Sequence, residues 1–285
     1  MTERLGIIGG SGLYDMGGLS KRKSITILTP FGKPSGPLRL GEFSGCPVAF
    51  LARHGQGHCL LPSEINYRAN VYAFKKLGVT KILAVSAVGS LREEIHPRDF
   101  VIPDQFVDRT TRREGTFFGN GIAAHISFAD PFCKSLRQAL IKICKALDLR
   151  VHEKGTYINM EGPAFSTRAE SELYRQWGMD IIGMTNLVEA KLAREAEICY
   201  ATMAMVTDYD CWHEHHEAVT VEGVLENLIA NAGNARNVIK EFIRAMPQIC
   251  ETGCRRALSK AIITDPKKVP ARIKRKLRLL IGKYI

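Results

Sequence analysis

No lysine followed by serine or threonine completes the glycine run GIIGGSGLYD at residues 6 to 15. The chain therefore lacks the Gly-Lys-Ser/Thr step that reaches the outer phosphates in a Walker loop. No acid occurs in TPFGKPSGPL, residues 29 to 38, where a dinucleotide fold would hold a ribose hydroxyl, and Asp15 stands where a third glycine would let the helix pack close. What survives is a tight turn after the short strand of Leu5, Ile7 and Ile8, carrying Ser11, whose hydroxyl and neighbouring N–H groups suit one small anion. A plain turn ending a strand is the alternative. No apolar run nears the roughly 20 residues that cross a bilayer; the longest, KILAVSAVGSL at 81 to 91, is about half that. No basic-then-apolar leader opens the chain, so a cytoplasmic protein is expected. The eight cysteines, at 46, 59, 133, 144, 199, 211, 250 and 254, form no C-x-x-C pair and no zinc spacing. Most read as small buried hydrophobes, with Cys250 and Cys254 packing on one face if that segment is helical. The histidine run WHEHHE at 212 to 217 is not H-E-x-x-H, and no metal is expected there.

The net charge of +11 is not spread over the chain. Residues 254 to 285 hold eleven Lys or Arg and one acid, which leaves 29 basic and 28 acidic residues for everything before them. The basic character belongs to a tail. In VPARIKRKLRLLIGKYI, residues 269 to 285, Ile273, Leu277, Leu280 and Ile281 alternate with basic residues in the manner of an amphipathic helix. Such a helix either packs on its own subunit or meets an anionic surface or nucleic acid.

The remaining sequence alternates strand and helix patterns. Strands are predicted at 5 to 8, 38 to 43, 47 to 53, 81 to 88, 99 to 107, 151 to 160, 181 to 184 and 198 to 207, several apolar throughout, as strands buried on both faces are. Between 131 and 147, Phe132, Leu136, Leu140, Ile143 and Leu147 share a helix face. From Val221 a longer stripe runs through Leu228, Ala232, Val238 and Phe242. Pro62 and Ser63 are expected to start another helix that Gly78 ends. The reading is one α/β domain over residues 1 to 247, with a mixed central sheet flanked by helices, and a basic, helical extension over 248 to 285.

Polar clusters stand at the predicted strand ends, where α/β proteins place ligands. Ser11, Arg53, His54, the backbone at Ser86 and Ala87, and Thr185 are donors suited to a phosphate. Phe165 and Met184 offer apolar surfaces to a ring and a sugar. Asp208 and Asp210, flanking Tyr209 at the end of a buried strand, suit the polar edge of a purine. Singly, each has a plainer reading: Arg53 as a surface ion-pair partner, His54 as a core histidine, the two acids as a turn or cap. Together they suggest a nucleoside split by phosphate.

The segments GIIGGSGLYD, TPFGKPSGPL, ARHGQGH, NYRANVYAFKKLG, GSLREEIHPRDFVIPDQFVDRT, EGPAFSTRAES and VTDYDCW resemble the 5'-methylthioadenosine phosphorylases of the trimeric purine nucleoside phosphorylase branch. The resemblance runs over about residues 4 to 247 in unbroken order. It implies a homotrimer or a dimer of trimers and no metal or organic cofactor, inorganic phosphate being a co-substrate. The implied reaction, in purine and methionine salvage, turns methylthioadenosine into adenine and 5-methylthioribose 1-phosphate. The family's phosphate contacts fall on Ser11, Arg53, His54, Ser86, Ala87 and Thr185; Met184 lies under the ribose and Phe165 beside the base. Ser166, Asp208 and Asp210, with Tyr209 between them, match the purine-recognition positions. Val221, Val224 and Leu225 match the wall against the methylthio group, and His125 matches a residue lent by a neighbouring subunit. Ser86-Ala-Val-Gly departs from the threonine and cysteine common there, and Thr185-Asn-Leu-Val-Glu from the usual Thr-x-x-Pro-Glu; neither removes a phosphate donor.

Breaking C1'–N9 leaves negative charge on the purine, so an acid must face N7. Asp208 is expected in that role with Asp210 holding it or the 6-amino group. An Asp that titrates near 3.9 must be raised by burial or a neighbouring acid to donate at neutral pH. The rivals are a 6-oxopurine or methylthioinosine phosphorylase, in which Asn is usual at position 208, and a non-catalytic nucleotide- or nucleic-acid-binding protein, which only the tail supports.

Overall fold

The structure is a computed structural model describing residues 3–10, 18–213 and 219–285. Ser11 and residues 214 to 217 of the histidine run thus lie outside the described residues. Eleven strands form one mixed sheet. They are β1 (Arg4–Gly9), β2 (Ser20–Ile25), β3 (Leu38–Phe43), β4 (Cys46–Ala52), β5 (Val79–Ser90), β6 (Phe100–Val101), β7 (Gln105–Asp108), β8 (Val151–His152), β9 (Thr156–Asn159), β10 (Ile181–Gly183) and β11 (Cys199–Asp208). The helices are α1 (Tyr67–Lys76), α2 (Lys134–Ala146), α3 (Arg168–Gln176), α4 (Asn186–Glu195), α5 (Val221–Arg244) and α6 (Ala271–Ile281).

Side-chain alternation along the strands sorts the core into two layers. Leu5 and Ile7 of β1, with Leu83 and Val85 of β5, face α2 and α5. Ile8, Ile82 and Ala84 point the other way, into a cluster built by α1, α4 and α6. Removing a fully buried side chain of this size from water contributes about 1.5–3 kcal/mol, so both faces must be covered for the sheet to persist.

The long strand β5 makes the site. Along one edge it pairs parallel with β11 from Lys81 to Gly89. Along the other it pairs parallel with β1 only as far as Ala84, and antiparallel with β10 only at Gly89 and Ser90. Residues 85 to 88 therefore have no strand partner on that edge among the described residues, and the sheet splits there. An opening between diverging strands leaves backbone groups and strand-end side chains free for a ligand.

Several boundaries differ from the sequence expectation for identifiable reasons. The 99 to 107 strand breaks into β6 and β7 at Pro103, which has no N–H for a ladder. The 151 to 160 strand divides at Gly155, whose N–H goes to the Asp104 carboxylate at 3.0 Å. The first helix begins at Tyr67, not Pro62, because the Asn66 side chain accepts the Ala69 N–H at 3.1 Å and so caps it. Phe132 precedes α2 and enters the opposite cluster from Leu136 and Leu140. The edge strand β2, SKRKSI, carries no apolar alternation and was not foreseen.

The C-terminal segment packs on its own chain. Ile273, Leu277, Leu280 and Ile281 of α6 are buried in the α1–α4 cluster, so the apolar face is not free to enter a membrane. Glu197 fastens it further by a 2.6 Å ion pair with Lys283 and a 2.5 Å hydrogen bond from the Tyr284 hydroxyl. No helix among the described residues is long and apolar enough to cross a membrane.

Candidate active site

A cavity of about 640 Å³ opens at the split in the sheet. Strand ends and the split stretch of β5 supply its polar wall: Arg53 and His54 beyond β4, Val85 to Gly89 within β5, Met160 beyond β9, Met184 and Thr185 beyond β10, and Thr207, Asp208 and Asp210 at the end of β11. That size and mixed lining suit a small organic ligand with a few fixed polar groups.

The cationic end is built on Arg53, which is 2 % exposed. Its Nε donates to Glu189 Oε1 at 2.5 Å, its Nη2 to Glu189 Oε2 at 3.1 Å and its Nη1 to the Val85 carbonyl at 2.9 Å. Three of the five guanidinium N–H groups are thus held in place, and two are left to meet an anion. Burial alone would lower the Arg53 pKa, but the Glu189 carboxylate and its hydrogen bonds outweigh that and raise it. Glu189 is itself fixed by the Tyr200 hydroxyl at 2.9 Å. The surface ion-pair reading of Arg53 is excluded by its burial. Thr185 is the N-cap residue of α4, and its hydroxyl makes no capping hydrogen bond. Hydroxyl and helix N-terminus both favour negative charge in this part of the cavity.

His54 differs from its expected role as a donor. Its Nδ1 lies 2.9 Å from the Leu60 carbonyl, which only accepts, so Nδ1 carries the proton. Burial, then the Arg53 charge, lower its pKa to about 4. The ring is therefore neutral at pH 7 and presents Nε2 as an acceptor. His58 stacks on it, with centroids 4.2 Å apart.

The acidic end holds two carboxyl groups in different settings. Asp208 Oδ2 accepts from the Thr207 hydroxyl at 2.7 Å and Oδ1 from the Asp210 N–H at 2.8 Å. Burial is the main cause that raises the Asp208 pKa; the Asp210 charge adds the least, so the neighbouring acid is not the main lever the sequence suggested. Asp210 is likewise raised by burial, opposed by the Ser171 and Ser166 hydroxyls, and its Oδ2 accepts no hydrogen bond of good geometry among the described residues. Asp210 takes φ 52°, a left-handed conformation that Asp tolerates better than most side chains and that turns its N–H onto Asp208. Gly89 is required beside them: a Cβ there would lie 2.8 Å from Asp208 Oδ1 and 3.0 Å from Ile182 Cγ2.

Between the two ends Met184 forms the floor and Phe165, 43 % exposed, the rim. Gly162 lets Met184 in, since a Cβ at that position would stand 2.5 Å from its sulfur. Val221, Val224, Leu225 and Leu228 of α5, with Leu60 and Leu61, give the cavity apolar lining. The exposed Val221 and Leu225 thus have a reason to face the opening rather than the core.

Of the expected residues, Arg53, His54, Ser86, Ala87, Phe165, Met184, Thr185, Asp208, Asp210, Val221, Val224 and Leu225 come together on this cavity. Ser166 does not line it, and acts on it through Asp210 and through the Met160 sulfur, to which its hydroxyl donates at 3.9 Å. Tyr209 is a correction: its ring turns away into the cluster of Leu91, Tyr174 and Trp212, with its hydroxyl toward the Glu93 carbonyl at 3.4 Å, because successive residues at a strand end point to opposite faces. His125 is exposed and lies outside the cavity of its own chain; its N–H pairs with the Ala261 carbonyl at 2.9 Å. Ser11 lies outside the described residues, although Gly10 before it reaches the cavity wall. Sequence reasoning missed Glu189 as the partner of Arg53, although it closes the Thr185-Asn-Leu-Val-Glu segment quoted above. It also missed Tyr157, whose hydroxyl fills the place a Cβ on Gly183 would take.

The model of the phosphorylase superfamily matches residues 4–244. Among curated relatives, the S-methyl-5'-thioadenosine phosphorylase of Koribacter versatilis is 56% identical over 284 residues, covering 100% of this chain and 97% of its own. That of Geobacter sulfurreducens is 54% identical and covers 100% of both chains, so the likeness includes the C-terminal arm. The crystal structure of a methylthioadenosine phosphorylase from an antarctic soil metagenomic library superposes with a TM-score of 0.92 at 50% identity, covering 98% of this chain and 99% of that one. The Schistosoma mansoni methylthioadenosine phosphorylase in complex with adenine gives 0.84 at 37% identity, covering 99% and 98%. The chain belongs to the S-methyl-5'-thioadenosine phosphorylases of the phosphorylase superfamily.

Proposed function

We propose that the chain catalyses phosphorolysis of 5'-methylthioadenosine, transferring the methylthioribosyl group from adenine to inorganic phosphate. The observation that carries the reading is one cavity with a buried, preoriented guanidinium at one end and two buried, raised carboxyl groups at the other. Phosphate takes the cationic end, held by the free N–H groups of Arg53, the Ser86–Ala87 backbone, the Thr185 hydroxyl and Ser11. His54, neutral with Nε2 open, accepts the P–OH of monohydrogen phosphate instead of donating to an oxyanion. The sugar rests on Met184, the base on Phe165, and the methylthio group on Val221, Val224 and Leu225.

As C1'–N9 lengthens, positive charge grows on the sugar toward the phosphate and negative charge on the purine toward Asp208. Burial raises the Asp208 pKa and so favours the protonated form that can give its proton to N7, after which the Asp210 N–H and the Thr207 hydroxyl stabilise the carboxylate. Asp210 Oδ2 accepts from the 6-amino group. No step calls for an organic cofactor. His125, exposed on one subunit, completes the site of a neighbour in a homotrimer.

A substrate panel at saturating phosphate tests the reading. Methylthioadenosine should exceed methylthioinosine and inosine strongly in kcat/KM. Faster turnover of the 6-oxopurines would assign the chain to the rival specificity.

A further inference from the structure

Four cysteines from three separate parts of the sequence converge beyond the opposite end of β11 from the cavity. Cys133 is the N-cap residue of α2, its N–H on the Tyr200 carbonyl at 2.8 Å. Cys199 is the first residue of β11. Cys250 and Cys254 bracket a turn in which Gly253 takes φ 72°, a value L side chains rarely adopt. All four sulfurs lie within 4.8 Å of one another, and those of Cys133 and Cys250 are 3.9 Å apart. Three of the four are buried and the fourth half-buried. Among the described residues this is the one group of its kind.

We propose that Cys133, Cys199, Cys250 and Cys254 form a closed, structural zinc site. A tetrahedral zinc thiolate centre has Zn–S bonds of about 2.3 Å, which space its sulfurs about 3.8 Å apart along each edge. Four sulfurs mutually within 4.8 Å need only small rotations to reach that figure. Disulfides would join the four in two separate pairs at about 2.05 Å, and nothing in pairwise bonding calls for all four to share a point. The C-x3-C spacing around a left-handed glycine gives two ligands from one turn, within the usual range for zinc knuckles. This corrects the sequence reading of Cys250 and Cys254 as neighbours on one helix face, with no zinc spacing among the cysteines: the segment turns at Gly253, and the other two ligands come from a helix cap and a strand start.

The surroundings suit a centre of net negative charge. Metal binding releases the thiol protons and leaves four thiolates around a dication. The N-terminus of α2 points its positive end at Cys133. Lys81, 2 % exposed and paired with Glu3, which Arg255 also pairs, lies within electrostatic reach of Cys199, Cys133 and Cys250, and Arg194 within reach of Cys254. The ligand turn is pinned from outside as well, with Thr252 Oγ1 accepting the Lys134 N–H at 2.8 Å and Ser135 Oγ the Glu251 N–H at 3.2 Å.

Cys199 and Asp208 stand at opposite ends of β11, roughly 30 Å apart at about 3.3 Å per residue, so the metal touches no reacting atom. It would fasten the C-terminal arm. That arm runs on to Ala261 and Ile263, whose backbone pairs with His125 and Ala123. A loose arm would therefore disorder the segment that carries His125.

The full chain, purified under reducing conditions without added metal, should contain about one zinc per chain by inductively coupled plasma mass spectrometry. Chelator-stripped protein given cobalt should show the thiolate-to-cobalt charge-transfer band and intense tetrahedral d–d bands. Cys254→Ser and Cys250→Ser should lower bound zinc at least tenfold, while Cys46→Ser, outside the cluster, should leave it unchanged. If the cluster variants do not fold, the cobalt spectrum of the unmutated chain decides. Reduced protein that binds neither zinc nor cobalt, disulfides joining these cysteines in the intact mass, or iron in place of zinc would each overturn the proposal.

Discussion

Asp208→Asn separates acid catalysis from packing, because the local hydrogen bonds can survive the change. The amide oxygen can stay in the Oδ1 position and keep the Asp210 N–H, now at 2.8 Å. The NH2 then faces Thr207, whose hydroxyl already lies 3.2 Å from the Val88 carbonyl and can turn its proton there, freeing a lone pair for the amide. No buried group loses its partner, so the stability change should stay under about 1 kcal/mol. The lost proton is another matter. A positioned general acid contributes about 10² to 10⁴ in rate, or about 2.7–5.4 kcal/mol at 1.36 kcal/mol per decade. The new NH2 can donate to O6, so the 6-oxopurine penalty, about 10⁴ in a site built for the amino group, should shrink. The assay is kcat/KM for methylthioadenosine and methylthioinosine at saturating phosphate, alongside thermal melting. A selectivity ratio that does not move in a folded variant would refute the reasoning.

Arg53→Lys keeps a positive charge but loses the fork that Glu189 and Val85 orient; the KM for phosphate should rise about tenfold or more while the nucleoside KM changes little, and equal changes in both would remove Arg53 from the phosphate site. Glu195 has its pKa raised by burial to about 7 from 4.5, against the Phe117 N–H and Thr116 hydroxyl that hold it. The stability its protonated form contributes is fully present below about 4.5 and lost as pH rises through about 7, roughly 3 kcal/mol in all. Denaturant melts at about pH 5 and about pH 8 should show that loss in the wild type and much less of it in Glu195→Gln; equal losses would contradict it. Mixed oligomers of His125→Ala and Asp208→Ala subunits, each nearly inactive alone, should regain activity if His125 serves a neighbouring site, and verified mixtures that stay inactive would place it elsewhere.

What the sequence made legible follows from which contacts are local. The sheet covered by helices on both faces is written in the alternation of Leu5, Ile7 and Ile8 and in the stripe from Ala232 to Phe242. Each strand end announced its polar group, so Arg53, Thr185, Asp208 and Asp210 were identifiable before their convergence was. Tyr209 was misplaced because a motif read as a string ignores that neighbours on a strand point apart. The pairing of Arg53 with Glu189, 136 positions on, and the meeting of four cysteines are products of the assembled fold, and no local pattern encodes them. The tail's charge drew attention to partners, yet its apolar residues decide its place, inside the chain's own core.

The central claim, that phosphate and not water takes the sugar, is tested most directly by incubating the protein with 5'-methylthioadenosine with and without inorganic phosphate and resolving the products by chromatography and mass. The account predicts adenine and 5-methylthioribose 1-phosphate in equal amounts, formed only when phosphate is present. Adenine released at the same rate without phosphate, accompanied by free methylthioribose, would contradict it.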